Sequence, residues 1–386
     1  MIKTFRRLSY IPGRWIKTPI ENAAERMALA RIVYSVFFLF YLSYTDLRET
    51  GYMFGWLLPR PFGTLPRPNE LLLPWVEPLL VLLLVLLLFG LWTRVVTVLV
   101  WLVGSYWVLV LQAAFGIDKL LVIMGVYVPL LACFSHWGAL YSVDARYAKA
   151  IPERGVRHWV YFWPARSMLI LLAFLYFSAG FYKLIYPGGW LQNPSFLSDF
   201  LQIKPIQSVI SNGTPLNPLV TFIAQYEWLT RIGQYGILAF ELTFPVVLVS
   251  GAAYLLYMRL LPFFHAANAF LFGIPFLPIM PAYILLFDWK NFLDATPIEI
   301  DRWRTFPLTW WQSVGIAGVV ALGWNTTPIP RFLFGGFGLF ESNRSFWYLM
   351  LPIILVWYGY NLWQWWRKRT TEGGTAGAVR AAPQAE

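Results

Sequence analysis

Residues 172–190 read LAFLYFSAGFYKLIYPGGW. The string is uncharged until Lys183, and Pro187-Gly188-Gly189 then ends it. Extended upstream it covers 159–184, with Arg166 near the start. A spanning helix needs roughly 20 mostly apolar residues, and this stretch predicts one. Ala179 and Gly180 lie one helical turn before Lys183, and Tyr176 two turns before it, on the same face. Small residues there leave room beside the lysine, and the tyrosine offers it a hydroxyl partner. Trp190 closes the string.

The rest of the chain has the same character. Of 386 residues, 13% are charged and 58% hydrophobic. A soluble domain carries roughly 25% charge and roughly 45–50% apolar residues. The balance excludes an ordinary water-soluble domain, a disordered chain and a charge-rich nucleic-acid binder. It predicts an all-α, polytopic transmembrane bundle. The net charge of +11 then reflects basic loops facing anionic lipid and cytoplasm, not nucleic acid. A single cysteine, Cys133, excludes an intrachain disulfide and a thiolate metal cluster. Three histidines are too few for a histidine-rich metal centre.

Uncharged length places candidate spans at 28–46, 71–92, 96–114, 120–138, 159–184, 232–256, 262–287, 309–325 and 345–366. This gives a bundle of about eight to nine spans. Segment 205–226 is also uncharged, but its prolines, asparagines and glycine read as loop or interfacial structure. The aromatic, proline-broken segment 49–63 suits the headgroup zone. Lys3, Arg6, Arg7, Arg14, Lys17 and Arg26 put the N-terminal segment 1–27 in the cytoplasm, followed by a retained anchor without a cleavage pattern. Loop 139–158, with Arg146, Lys149, Arg154 and Arg157, falls on the same side, and loop 185–231 on the other. Nine spans would leave Arg367-Lys368-Arg369 outside, against the rule; a re-entrant 309–325 or a miscounted span resolves it. The expected membrane is a bacterial inner (plasma) membrane. The Gly/Ala/Thr-rich end of the chain predicts a disordered tail over 367–386. Pro74, Pro78, Pro129, Pro262, Pro275, Pro278 and Pro281 interrupt several spans. Such breaks are tolerated beside protein or a polar cavity, although proline is also commoner in membrane helices generally.

Ionisable residues inside a bilayer are functional candidates by default. Glu77, Arg166, Lys183, Glu241 and His265 stand out. Lys183 reads in two ways: a snorkelling lysine at a helix C-terminus, or a general base whose burial lowers its basicity toward neutrality. His265, sharing a face with Asn268, reads as a helix–helix hydrogen-bonding residue or as a site residue. Glu241, nine residues into its span, must be protonated or paired. Glu77 lies near enough to its helix end to reach water. Lys183 falls at the outer face and His265 nearer the inner one, so a shared site needs tilted or broken helices.

The string YFSAGFYKLIYPGGWLQ resembles the signature stretch of the vitamin K-dependent gamma-carboxylase superfamily, which includes the horizontally transferred transmembrane (HTTM) domain proteins. Three further strings resemble that family in order: ALARIVYSVFFLFY its first helix, HWGALYSVDARY its Ser-Val-Asp turn, and PFFHAANAFLFGIPFLPIMPAYILLFDW its late histidine-containing helix. The resemblance covers about residues 22–290. It implies a transmembrane domain over 28–290, with two additional apolar segments in 291–366. It also implies a reduced, vitamin K hydroquinone-like quinone as cofactor and Lys183 as the base that deprotonates it, oxygen and carbon dioxide completing a lyase-type carboxylation at an extracytoplasmic site. Catalytic candidates are then Lys183, His265 and Tyr176; Gly180, Glu241, Asn268 and Trp190 line the cavity. The chain departs from the carboxylases by lacking their Asn-His pair, having Asp118-Lys119-Leu120-Leu121 around that place, and by lacking their large lumenal domain. Expected partners are membrane lipid, a lipophilic quinone and a peptide or protein, with no nucleic acid. The competing expectation is a non-catalytic membrane scaffold or maturation partner whose polar residues join helices.

Overall fold

The computed structural model describes residues 22–43, 71–115, 119–148, 159–186, 190–203, 218–272, 276–287, 289 and 307–326. The expectations for most of the basic N-terminal segment, 49–63, Asp118, Pro187-Gly188-Gly189, 205–217, 345–366 and the tail fall outside them. The described residues form helices and turns and no strand, as the composition predicts. We number the helices α1 (Ala23–Leu42), α2 (Leu73–Phe89), α3 (Thr93–Phe115), α4 (Lys119–Val122), α5 (Val128–Cys133), α6 (Val143–Tyr147), α7 (Trp159–Ile185), α8 (Pro218–Ala224), α9 (Glu227–Thr243), α10 (Gly251–Phe272), α11 (Met280–Leu286) and α12 (Trp310–Thr326). Two stretches, Thr93–Leu111 in α3 and Val160–Ile185 in α7, are long and apolar enough to cross a membrane.

Helix α7 is central. It packs against α1, α5, α9 and α11 and against the 3₁₀ turn Phe244–Leu248 that follows α9, while α2 sits between α1, α3 and α12. The main core runs through these helices, with Tyr34, Phe38, Trp107, Trp137, Phe244 and Trp324 all fully buried. The outward faces are apolar too. On α7, Ile170, Phe174, Phe177, Phe181 and Ile185 form an exposed stripe at helical spacing.

Several boundaries have local causes. Helix α2 stops at Gly90, whose φ of +67° suits a residue without Cβ. Gly90 N donates to Leu87 O and Leu91 N to Leu86 O, both at 3.0 Å, so two terminal carbonyls are satisfied. The segment predicted at 120–138 is helical only to Cys133 and is interrupted by a π turn, Ile123–Tyr127. Pro129 carries no N–H for Gly125 O and its ring would press on that carbonyl. The wider turn accommodates it, with Val128 N reaching Ile123 O. Gly125 there meets Gly104 of α3 backbone to backbone: a Cβ on Gly104 would lie 2.9 Å from Gly125 O.

Four expectations change. The span predicted at 232–256 is not continuous, because α9 ends at Thr243 and α10 begins at Gly251. Pro245, in the first turn of Phe244–Leu248, stops the α-helical ladder. Consequently the span predicted at 262–287 starts earlier, ends at Phe272, and is followed by the separate short helix α11. Pro262 and Pro78, read as breaks, lie inside intact helices. The loop expectation for 205–226 also gives way over its last part, where α8 forms.

Candidate functional site

Two polar clusters share α7. Lys183, in its last turn, donates from Nζ to Glu241 Oε1 of α9 at 2.5 Å. The side chain of Lys183 is 23% exposed and that of Glu241 7%. The pair forms because α7 and α9 touch at Gly180: a Cβ there would lie 2.9 Å from Glu241 Cβ and 3.0 Å from Leu242 N. The glycine thus brings the acid to the lysine. Trp190 covers the ammonium from the other side, with Nζ 4.8 Å from the ring centroid, a distance at which the ring's negative face attracts a cation.

Trp190 is itself held in place by Gln234 of α9, which is fully buried. Gln234 Nε2 donates to Trp190 O and, at 2.9 Å, to Asn193 O. Its Oε1 accepts from Leu197 N at 3.0 Å. One amide therefore ties the strand of chain over Lys183 to the helix that carries Glu241.

The second cluster lies about 10 Å back along α7, at 1.5 Å per residue. Tyr176 Oη meets His265 Nε2 of α10 at 2.9 Å and Tyr283 Oη of α11 at 2.5 Å. His265 Nε2 and Tyr283 Oη are 2.7 Å apart. The three groups close a triangle. An imidazole nitrogen acting as acceptor leaves two hydroxyl protons for three edges, so one edge is a contact without a proton. Around it Tyr176 stacks on Phe244 at 4.4 Å and Phe240 on Phe264 at 4.5 Å. The polar triangle thus sits inside an aromatic box formed by α7, α9, α10 and the turn between them.

Some predicted placements are corrected. Tyr176 does not serve Lys183: its hydroxyl turns to His265 and Tyr283, and the lysine's partner is Glu241. Asn268 does not join His265, because its Nδ2 donates back to Phe264 O of its own helix at 2.7 Å. Glu77 does not reach water and is 2% exposed, since α12 packs over α2. Arg166 stands ten residues before Tyr176 on α7, outside both clusters. The expected pairing of Glu241 is present. Lys183 and His265 are not brought to one shared site: α7 and α10 are each continuous, and the two residues sit in separate clusters.

Three residues escaped the sequence reading. Tyr283 and Gln234 are uncharged, and a search for intramembrane charges passes over them. Arg31 is charged and fully buried in α1. Its Nη2 donates to Tyr141 O at 2.5 Å. Beside it Asp144 acts on its charge and accepts from Trp92 N, Thr93 N and Thr93 Oγ1 at 2.7–2.8 Å. Ser142 Oγ caps α6 by accepting from Ala145 N at 2.9 Å. The Ser142-Val143-Asp144 turn is thus a structural clasp that closes the start of α3 onto α1. A cue was available: Arg31 is a lone cation within an otherwise apolar predicted span.

The sequence matches no known protein family, and neither a curated protein nor a solved structure is significantly similar to it. Among the described residues no group of three or more His, Cys, Asp and Glu is placed to hold a metal ion.

Proposed function

We infer that this chain is an integral membrane enzyme: a bundle of about eight to nine spans that holds a lipophilic quinol beside Lys183 and draws off its hydroxyl proton there. The observation that carries the reading is the Lys183–Glu241 pair, an acid–base couple between α7 and α9 with Trp190 over the half-buried ammonium and the carboxylate buried. An ion pair of this kind adds little to stability, and an acid and an amine in contact can exchange a proton with a substrate. The Tyr176–His265–Tyr283 triangle supplies hydroxyl and imidazole groups for the other end of the ligand, with Phe240, Phe244 and Phe264 beside its ring.

The membrane placement is supported by the exposed apolar faces, among them Phe174, Trp228, Val319 and Leu322, which water would disfavour over so wide an area. The positive-inside rule, applied to the basic loops, supports an N-terminus in the cytoplasm and the Lys183 end of α7 on the outer side. The resemblance of four strings to those of the gamma-carboxylase superfamily supports the quinol as ligand. There, oxygen oxidises the quinolate and carbon dioxide is the co-substrate.

The test is extraction of the purified protein into organic solvent with mass spectrometry of the extract, together with a Lys183→Ala variant assayed for quinol epoxidation and carbon dioxide incorporation. Stoichiometric quinone and a fall of about 10²–10⁴-fold, the usual contribution of a general base, are expected. A quinone-free extract with a co-purifying protein favours the scaffold, and unchanged activity of Lys183→Ala removes the lysine from the reaction.

A further inference from the structure

Taking the quinol reading as its basis, we propose that the Glu241 carboxylate, open at Oε2, is the group that becomes protonated when the substrate is deprotonated, with Lys183 the fixed cation beside it. Only one oxygen of this carboxylate is occupied. Oε1 accepts from Lys183, whereas Oε2 is buried with no hydrogen-bond partner. A buried polar atom left in that state is costly. An O–H group entering beside Lys183 relieves the cost by donating to it.

The proton count leads to the same carboxylate. An ammonium in an ion pair has no lone pair, so Lys183 cannot accept a proton as it stands. On the direct route the substrate O–H bond breaks and an O–H bond forms on Oε2. On the indirect route Lys183 first hands an Nζ proton to Oε1 and then takes the substrate's. Both routes end with the same species: a carboxylic acid at Glu241, an ammonium at Lys183 and an oxyanion on the substrate. The carboxylate gains the proton in either case, and the ammonium stabilises the anion in a site with little water to screen it.

The surrounding titratable groups leave this assignment to the pair. Tyr176, His265 and Tyr283 are bonded to one another. Tyr257 of α10 bonds to Thr243. Glu227 and Arg231 pair with each other near the opposite end of α9. Trp190 brings no ionisable group.

A 2-alkyl-4-nitrophenol tests this without any turnover, because its phenolate is yellow. It is titrated into detergent-solubilised wild type, Glu241→Gln and Lys183→Met, with binding read by equilibrium dialysis and ionisation by absorbance. The wild type is expected to bind the phenol saturably and to ionise it at lower pH than empty micelles do. Glu241→Gln is expected to bind the phenol and still ionise it beside the Lys183 ammonium, but to release the proton to a weakly buffered solution, read with a pH indicator, where the wild type retains it. If Lys183 alone were the base, its amine would keep the proton in both proteins, so a Glu241→Gln protein that ionises the phenol without releasing a proton overturns the proposal. Infrared difference spectroscopy on the wild type covers the case of a variant that does not fold. Probe binding should raise a carboxylic-acid C=O band that shifts in heavy water, and its absence overturns the proposal too. Failure of the wild type to bind any probe saturably would instead remove the quinol reading on which the proposal rests.

Discussion

A methyl group at position 180 has nowhere to go. It would sit 2.9 Å from Glu241 Cβ and 3.0 Å from the backbone nitrogen of Leu242, and backbone cannot swing aside as a side-chain tip can. Gly180→Ala should therefore part α7 from α9 at the level of the ion pair. Overpacking of this kind costs about 1–3 kcal/mol, so a lower thermal midpoint in detergent is expected. Activity should fall further than that loss explains, since the Lys183–Glu241 contact opens with it; wild-type activity and midpoint together would show the contact to be dispensable. The sequence made the small residue beside Lys183 visible but gave it the wrong neighbour. Helical spacing reports which residues share a face of one helix. It carries no information about which helix comes to lie against that face. Tyr176 was consequently read as the lysine's partner, when Glu241, 58 residues further on, occupies that place.

At the scale of elements, the helices read most clearly were those whose apolar run is bounded by charge or by a glycine turn. Helices α2, α3, α7 and α12 lie close to their predicted limits, because composition alone decides a long apolar run. Breaks inside such runs were harder to read, since proline has opposite effects in similar surroundings. Pro262 and Pro78 are carried within helices, whereas Pro245 ends one. The apolar pattern around each proline is similar, so the sequence carries no signal that separates these cases. The start of α3 gives an element-scale prediction. Asp144 satisfies two of its exposed backbone N–H groups from outside the helix, as a capping side chain does from within. Asp144→Ala should lose about 0.5–2 kcal/mol, the usual value of a cap. Asp144→Asn, which keeps an accepting oxygen, should recover part of that loss. Equal unfolding midpoints for all three proteins would show that the clasp contributes nothing.

For the whole molecule, the apolar stripe on α7 and its counterparts on α9 and α12 turn large side chains outward while polar groups gather within. That arrangement suits a hydrocarbon solvent. A nitroxide on a cysteine introduced at Phe174, with Cys133 changed to serine, should relax faster with oxygen than with a water-soluble nickel chelate once the protein is in vesicles. The reverse ranking would put the stripe in water and remove the membrane placement.

Gln234 ties these scales together. It clips the chain at Trp190 to α9, and the same helix carries Glu241 two turns further on. The carboxylate and the anchor of Trp190 therefore belong to one helix, while Lys183 belongs to another. Any sliding of α9 along α7 would change the acid–amine distance and the position of the ring over the amine together, with no linkage beyond the helix itself.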